Sequence, residues 1–146
     1  MGSLTLPPSG IVYVDANSAI YSIEKIEPYN SLLLSMWQGA QAGDFRIVSS
    51  ELLLLETLVK PLRTADAVLE ASFRALLLSS HELRLMPITI SILDSAAHLR
   101  AATGLKTPDA IHAATALAVG CDLFVTNDRN LTRVPGLAIA LLDDIA

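Results

Sequence analysis

The sequence predicts an α/β fold, a three-layer α/β/α arrangement around a mostly parallel central sheet. Three observations predict it. Short runs rich in β-branched and aromatic residues alternate with longer stretches of helical apolar spacing along the whole chain. Such alternation implies parallel strands covered by helices on both faces, with right-handed crossovers carrying every strand's carboxyl end to one edge. Acids stand just past two of the runs, Asp15 after Ile11-Val12-Tyr13-Val14 and Asp128 after Leu123-Phe124-Val125-Thr126-Asn127. Open α/β sheets place their ligands at such strand ends.

The elements follow in order. Ile11 to Val14 is the first strand, and Asn17 to about Lys25 the first helix. A second helix enters at Glu27-Pro28, with proline in its first turn, runs through Leu32-Leu33-Leu34, Met36 and Trp37, and is ended by Gly43. Phe45 to Val48 is a strand. Ser49 or Ser50 can cap a helix from Glu51 to Val59, which Pro61 is expected to close. Thr64 is expected to cap a long helix from Ala65 to about Leu78, and Leu83 to Ile88 reads as a strand weakened by Pro87. Thr89 opens a helix that stops at Gly104. Thr107 fits the cap of the next, with Pro108 at its first position and Gly120 at its end. Asp122 to Thr126 and Leu137 to Leu142 complete the strands. There are no internal repeats, so residues 11–146 read as a single domain behind a loose Pro7-Pro8 leader, residues 1–10.

Composition narrows the function. At 146 residues the chain can bury a real core, and its apolar fraction of 52% is high for that length. The excess, carried largely by 26 Leu and 20 Ala, suggests that some apolar surface is covered by a second copy. The richest stretches are interrupted by Glu56, Lys60, His112 and Asp122, too early for a membrane span. The leader lacks a secretory pattern, and Cys121 is alone, which rules out an internal disulfide; a cytoplasmic location is expected. A net charge of −5 argues against a broad basic surface for nucleic acid. Yet four of the acids invoked below contribute to that charge, and bound divalent cations would invert the local field. Only seven aromatics are present, too few for a base-stacking platform.

Four acids stand out by position. Asp15 and Asp128 follow strands, while Glu56 and Asp109 ride the first halves of helices expected to begin at the same edge. Each also has a structural alternative. Asp15 could cap the helix behind it, Glu56 could pair with Lys60 one turn on, Asp109 could complement a helix dipole, and Asn127-Asp128 is ordinary turn chemistry. Glu51 is about 140° around the helix from Glu56 and cannot face the same way. His112, three residues after Asp109, reads as a satisfied buried or rim histidine. Converging carboxylates repel and raise one another's pKa, which a fold tolerates best when it binds hard divalent cations. Two such ions about 3.5–4 Å apart can activate water and stabilise the leaving oxygen of a phosphodiester. No nucleophilic triad is visible.

Val14-Asp15-Ala16-Asn17, Leu53-Leu54-Leu55-Glu56, Pro108-Asp109-Ala110-Ile111-His112-Ala113-Ala114-Thr115-Ala116 and Val125-Thr126-Asn127-Asp128 resemble the four signatures of PIN domains. In particular the chain resembles the small VapC-type toxins of toxin–antitoxin pairs, from Ile11 to about Leu142. The resemblance implies an α/β/α endoribonuclease that uses Mg²⁺ or Mn²⁺, often as a homodimer neutralised by a small antitoxin. It also implies that Asp15, Glu56, Asp109 and Asp128 bind metal, that Thr126 and Asn127 orient that group, and that Asn17 assists near the phosphate. The alternative is a PIN-like interaction module or dimerising scaffold that no longer cleaves. Phosphatase chemistry of the haloacid dehalogenase type fits poorly, because it wants a second Asp where this chain has Asn17.

Overall fold

In the computed structural model, which describes residues 2–146, five strands form one entirely parallel sheet in the order β3-β2-β1-β4-β5. They are β1 (Ile11–Val14), β2 (Arg46–Ser50), β3 (Leu83–Met86), β4 (Leu123–Thr126) and β5 (Ile139–Leu141). The helices are α1 (Ala16–Ile23), α2 (Tyr29–Gln41), α3 (Leu52–Arg63), α4 (Ala67–Arg74), α5 (Ile90–Thr103), α6 (Thr107–Val119) and α7 (Leu142–Ile145). The predicted three-layer α/β/α architecture is therefore observed.

Strand alternation divides the core in two. Val12 and Val14 of β1, Ile47 of β2 and Val125 of β4 pack against Leu33 and Met36 of α2, Leu53 of α3 and Leu142 of α7. Tyr13, Val48 and Phe124, the residues between them, face Ile92 and Ala96 of α5 and the alanines of α6. Each central strand is thus buried on both sides, which is why its sequence is a continuous apolar run. Residues 2–10 carry no regular helix or strand, but Leu4 packs into the first of these cores at 7% exposure. Among the described residues, no helix is long and apolar enough to cross a membrane.

Several boundaries differ from expectation for local reasons. α3 continues through Pro61 to Arg63; the proline ring is buried, and Lys60 and Arg63 complement the negative end of the helix dipole. Thr64 ends α3 rather than opening α4, its hydroxyl donating to the Lys60 carbonyl at 3.0 Å. Asp66 is the true cap of α4, accepting from the Leu69 N–H at 3.0 Å. α4 then loosens into a π-helical turn over Ala75–Ser79. β3 stops at Met86, before Pro87, and Lys106 instead of Thr107 holds the cap position of α6. A 3₁₀ turn at Arg129–Arg133 follows β4, and the expected last strand shortens to Ile139–Leu141 because Leu142 already begins α7.

Gly39 lies inside α2, where alanine would ordinarily improve helix stability by about 1 kcal/mol. A Cβ there would lie 2.6 Å from the Cε2 and Cζ atoms of Phe45, which is 6% exposed and packed in the core. Gly39→Ala is therefore expected to destabilise the domain by about 1–3 kcal/mol despite the propensity gain. Thermal or urea denaturation against the parent checks it; an unchanged or raised midpoint would show that the ring yields.

Candidate metal-binding site

The β1–β4 register pairs Val14 with Val125, so the next residues, Asp15 and Thr126, stand side by side at the carboxyl edge of the sheet. There the Thr126 hydroxyl donates to Asp15 Oδ2 at 2.5 Å and accepts the Asp128 N–H at 3.0 Å. One buried threonine thus fixes both the Asp15 carboxylate and the backbone that presents Asp128. α3 leaves the same edge after β2 and carries Glu56 on its second turn, while the first turn of α6 brings Asp109 from the other layer. Asp15, Ala16, Asn17, Glu56, Asp109, His112 and Asp128 line one cavity of about 100 Å³. All four predicted acids and Asn17 are brought together there.

The structural alternatives resolve individually. Asp15 occupies the cap position of α1, yet its side chain makes no capping bond, and its Oδ1 is buried without a partner among the described residues. Lys60 pairs with Glu24 at 2.5 Å and not with Glu56. Glu56 instead accepts at Oε1 from His112 Nε2 at 2.6 Å, and His112 Nδ1 meets the Tyr13 hydroxyl at 2.8 Å. Asp128 does perform turn chemistry, its Oδ1 accepting from the Asn130 N–H at 2.9 Å, and lines the cavity as well. Glu51 accepts from the Ile88 N–H at 3.3 Å and is absent from the cavity, as its helical position requires. Asn127 lies behind the site, donating to the Tyr21 hydroxyl at 3.1 Å and accepting the Asp143 N–H at 3.0 Å. With both amide atoms so engaged, Asn127 is not among the residues that line the cavity.

Tyr13 is the residue that sequence reasoning missed. Its hydroxyl is reached only through the third dimension, 99 residues from His112. The one available signal was that His112 shares part of a helical face with Asp109.

The electrostatics follow from burial and crowding. Burial is the main cause that pushes the Asp15 carboxyl up, opposed by the bond from Thr126. Burial also leads in raising Asp109 to about 7, followed by its shared hydrogen bond and repulsion with Asp128. Among the described residues, no three such groups are drawn in as a closed metal cage. Mg²⁺ does not require one, since it keeps several waters and takes one or two carboxylates. The oxygen-only acids, the Asn17 amide and the orphaned buried Oδ1 of Asp15 fit a hard divalent cation.

Asp109 gives the site a measurable signature. Its folded pKa exceeds the unfolded value, so the metal-free fold binds an extra proton between the ordinary carboxylate range and about pH 7. That contribution to stability is present at the acid end of the window and is lost as pH rises through about 7. Asp109→Asn should therefore raise the melting temperature of the metal-free protein at neutral pH, with the advantage fading toward pH 4. A cation that binds only the folded parent should add about 2.7 kcal/mol at a hundredfold excess over Kd. That corresponds to a shift on the order of several degrees. The response to Mn²⁺, against NaCl of matched ionic strength, should shrink in Asp109→Asn. Equal responses in parent and variant would show that Asp109 does not belong to a cation site.

The PIN domain family model matches residues 12–137. No functionally curated protein matches the sequence. Among solved structures, the fold is similar to VapBC2 from Rickettsia felis bound to a DNA fragment from its promoter. That likeness has 19% identity and a TM-score of 0.69, over 90% of this chain and 98% of that one. A toxin–antitoxin complex from Klebsiella pneumoniae gives 22% identity and a TM-score of 0.65, over 87% of this chain and 95% of that one. FitAcB from Neisseria gonorrhoeae gives 14% and 0.65, over 88% and 95%. These are likenesses of fold. With strand order, acid placement and a match spanning most of its length in agreement, the chain belongs to the PIN domain family.

Proposed function

We propose that this protein is a metal-dependent endoribonuclease and the toxin of a toxin–antitoxin pair. The observation that carries the reading is the convergence of Asp15, Glu56, Asp109 and Asp128 on one small cavity, with a buried Asp15 oxygen left unpaired among the described residues. The PIN family membership supports a nuclease, and solved toxin–antitoxin complexes of the same fold support the toxin. Asp15, Asp109, Asp128 and Glu56 would hold Mg²⁺ or Mn²⁺. Bound there, the cation would supply Lewis acidity, neutralising phosphodiester charge and making an attacking water more acidic.

The chain's own residues do the rest. Thr126 donates to Asp15, opposing the rise that burial causes, and holds Asp128 in register through its backbone. Asn17, at the cavity wall, offers an amide that can donate to a phosphate oxygen. The cavity admits little more than the reacting group, so the rest of an RNA strand lies across the rim.

Incubating end-labelled RNA with the protein and Mg²⁺ tests this. Cleavage should appear, stop with EDTA, and fall by several kcal/mol of transition-state stabilisation in Asp15→Asn, as for other electrostatic groups. Intact RNA in the presence of a protein that binds Mn²⁺ would instead favour the non-cleaving scaffold.

We further propose a homodimer. Leu55, Val59 and Leu62 make an exposed ridge along α3, at 63%, 44% and 56% exposure, and Val68 at the start of α4 is 80% exposed. The same surface suits an amphipathic antitoxin helix. Light scattering at micromolar concentration should give about twice the 15.6 kDa chain mass. A monodisperse monomer would remove the dimer.

A further inference from the structure

We propose that His112, itself held by Tyr13, is a positioning residue that sets Glu56 for cation binding; this rests on the metal-site reading above. The three side chains form a line from the sheet core to the cavity. Tyr13 is fully buried on β1, and His112 is 1% exposed on α6. Glu56, on α3, retains 23% side-chain exposure. The contacts are 2.8 Å from Tyr13 hydroxyl to His112 Nδ1 and 2.6 Å from His112 Nε2 to Glu56 Oε1.

An ionised carboxylate only accepts, so the hydrogen in the second contact belongs to His112 Nε2. In a neutral ring Nδ1 is then an acceptor, which the Tyr13 hydroxyl fills as donor. The Tyr13 ring is fixed by an edge contact with His112, centroids 5.8 Å apart, and by Phe124 at 4.7 Å. The acceptor-only Glu56 carboxylate therefore fixes the tautomer, and the Tyr13 hydroxyl, which can donate or accept, satisfies Nδ1 and holds the ring in place. Glu56 comes from a different layer than Asp109, and among the described residues α3 makes no other side-chain hydrogen bond to α6. Without this bond its side chain, on an exposed part of the rim, would be free to swing into solvent. With Oε1 occupied, Oε2 has no protein donor among the described residues and is the oxygen left for a ligand. This is the outer support that orients carboxylate and imidazole ligands in metal sites, whose loss costs about 10–100-fold in affinity.

The test measures Mn²⁺ affinity of the full chain by calorimetric titration, with no RNA present. His112→Leu should weaken Mn²⁺ binding about 10-fold or more. His112→Gln, whose amide reaches the Nε2 position and can donate, should recover most of that loss. Tyr13→Phe should weaken binding by less than His112→Leu, because the imidazole remains but its Nδ1 loses the hydrogen-bond partner that holds the ring in place. In a Glu56→Gln background, His112→Leu should have no further effect on Kd. Were His112 merely a packing residue, its loss would weaken binding equally in the parent and in the Glu56→Gln background, and glutamine at position 112 would not rescue; either result overturns the proposal. Should His112→Leu fail to fold, the Tyr13→Phe and His112→Gln affinities, each measured with and without Glu56→Gln, decide the same question. Absence of Mn²⁺ binding by the parent would overturn the metal-site reading itself, whereas parent binding that is indifferent to all three substitutions would overturn only the role given to His112 and Tyr13.

Discussion

Repulsion among four carboxylates that share a cavity of about 100 Å³ is the constraint around which the rest of this fold is arranged. Left to solvent, such groups would spread apart, and burial compounds the cost by disfavouring every charge. The fold resists in two ways. It mounts the acids on separate rigid elements, so that none can relax without moving a strand end or a helix. It also directs donors at three of them: a buried threonine hydroxyl for Asp15, a buried imidazole for Glu56 and an exposed backbone N–H for Asp128.

The parallel sheet makes that mounting possible. Because all five strands run the same way, the ends of β1 and β4 and the starts of α1 and α3 reach one edge. α6 completes the ring from the opposite layer, and its composition allows close approach. Ala110, Ala113, Ala114 and Ala116 are at most 2% exposed, so a helix with hardly any bulk packs against the sheet and against α5. A Leu-rich helix in this place would stand farther out and carry Asp109 away from Asp128. Arg100 assists from α5, its guanidinium donating to the Leu105 carbonyl at 2.8 Å and the Thr107 hydroxyl at 3.0 Å, which ties down the loop from which α6 starts.

What was legible in the sequence follows from the range of the interaction concerned. Strands β1, β2 and β4 and the glycine-ended helices α5 and α6 were legible because their signals are local: β-branched runs, and Gly104 and Gly120 in the left-handed conformation. The gathering of the four acids was legible too, since topology alone carries strand ends to one edge. Asp66 as the cap of α4 was harder, because Thr64 was an equally good candidate two residues away and the chain between them turns at Ala65, with φ of 53°. Pro61 was misleading for a tertiary reason, as burial of its ring outweighs the missing N–H. The Glu56 partner was out of reach: Lys60 was the near neighbour, but the bond goes to a histidine 56 residues away. Leu4 belongs to the same class, a leader residue whose burial depends on what α2 and α7 leave open.

The four acids are not equivalent, and the difference lies in their oxygens. Asp15, Glu56 and Asp128 each have one oxygen tied to a protein donor, Oδ2, Oε1 and Oδ1 respectively. Each thereby keeps one oxygen for the cavity, held in place by a bond to the other. A hydrogen bond to a charged group contributes about 1.5–3 kcal/mol, and for Asp15 it opposes the rise that burial causes. Asp109 has no such donor among the described residues; what faces it is Asp128, to which it can donate only when protonated. Burial and the facing Asp128 together raise this unanchored acid to about 7, where a proton can sit between the two carboxyl groups. Three carboxylates are thus held by donors of the fold, while the fourth is set by burial and by the acid that faces it.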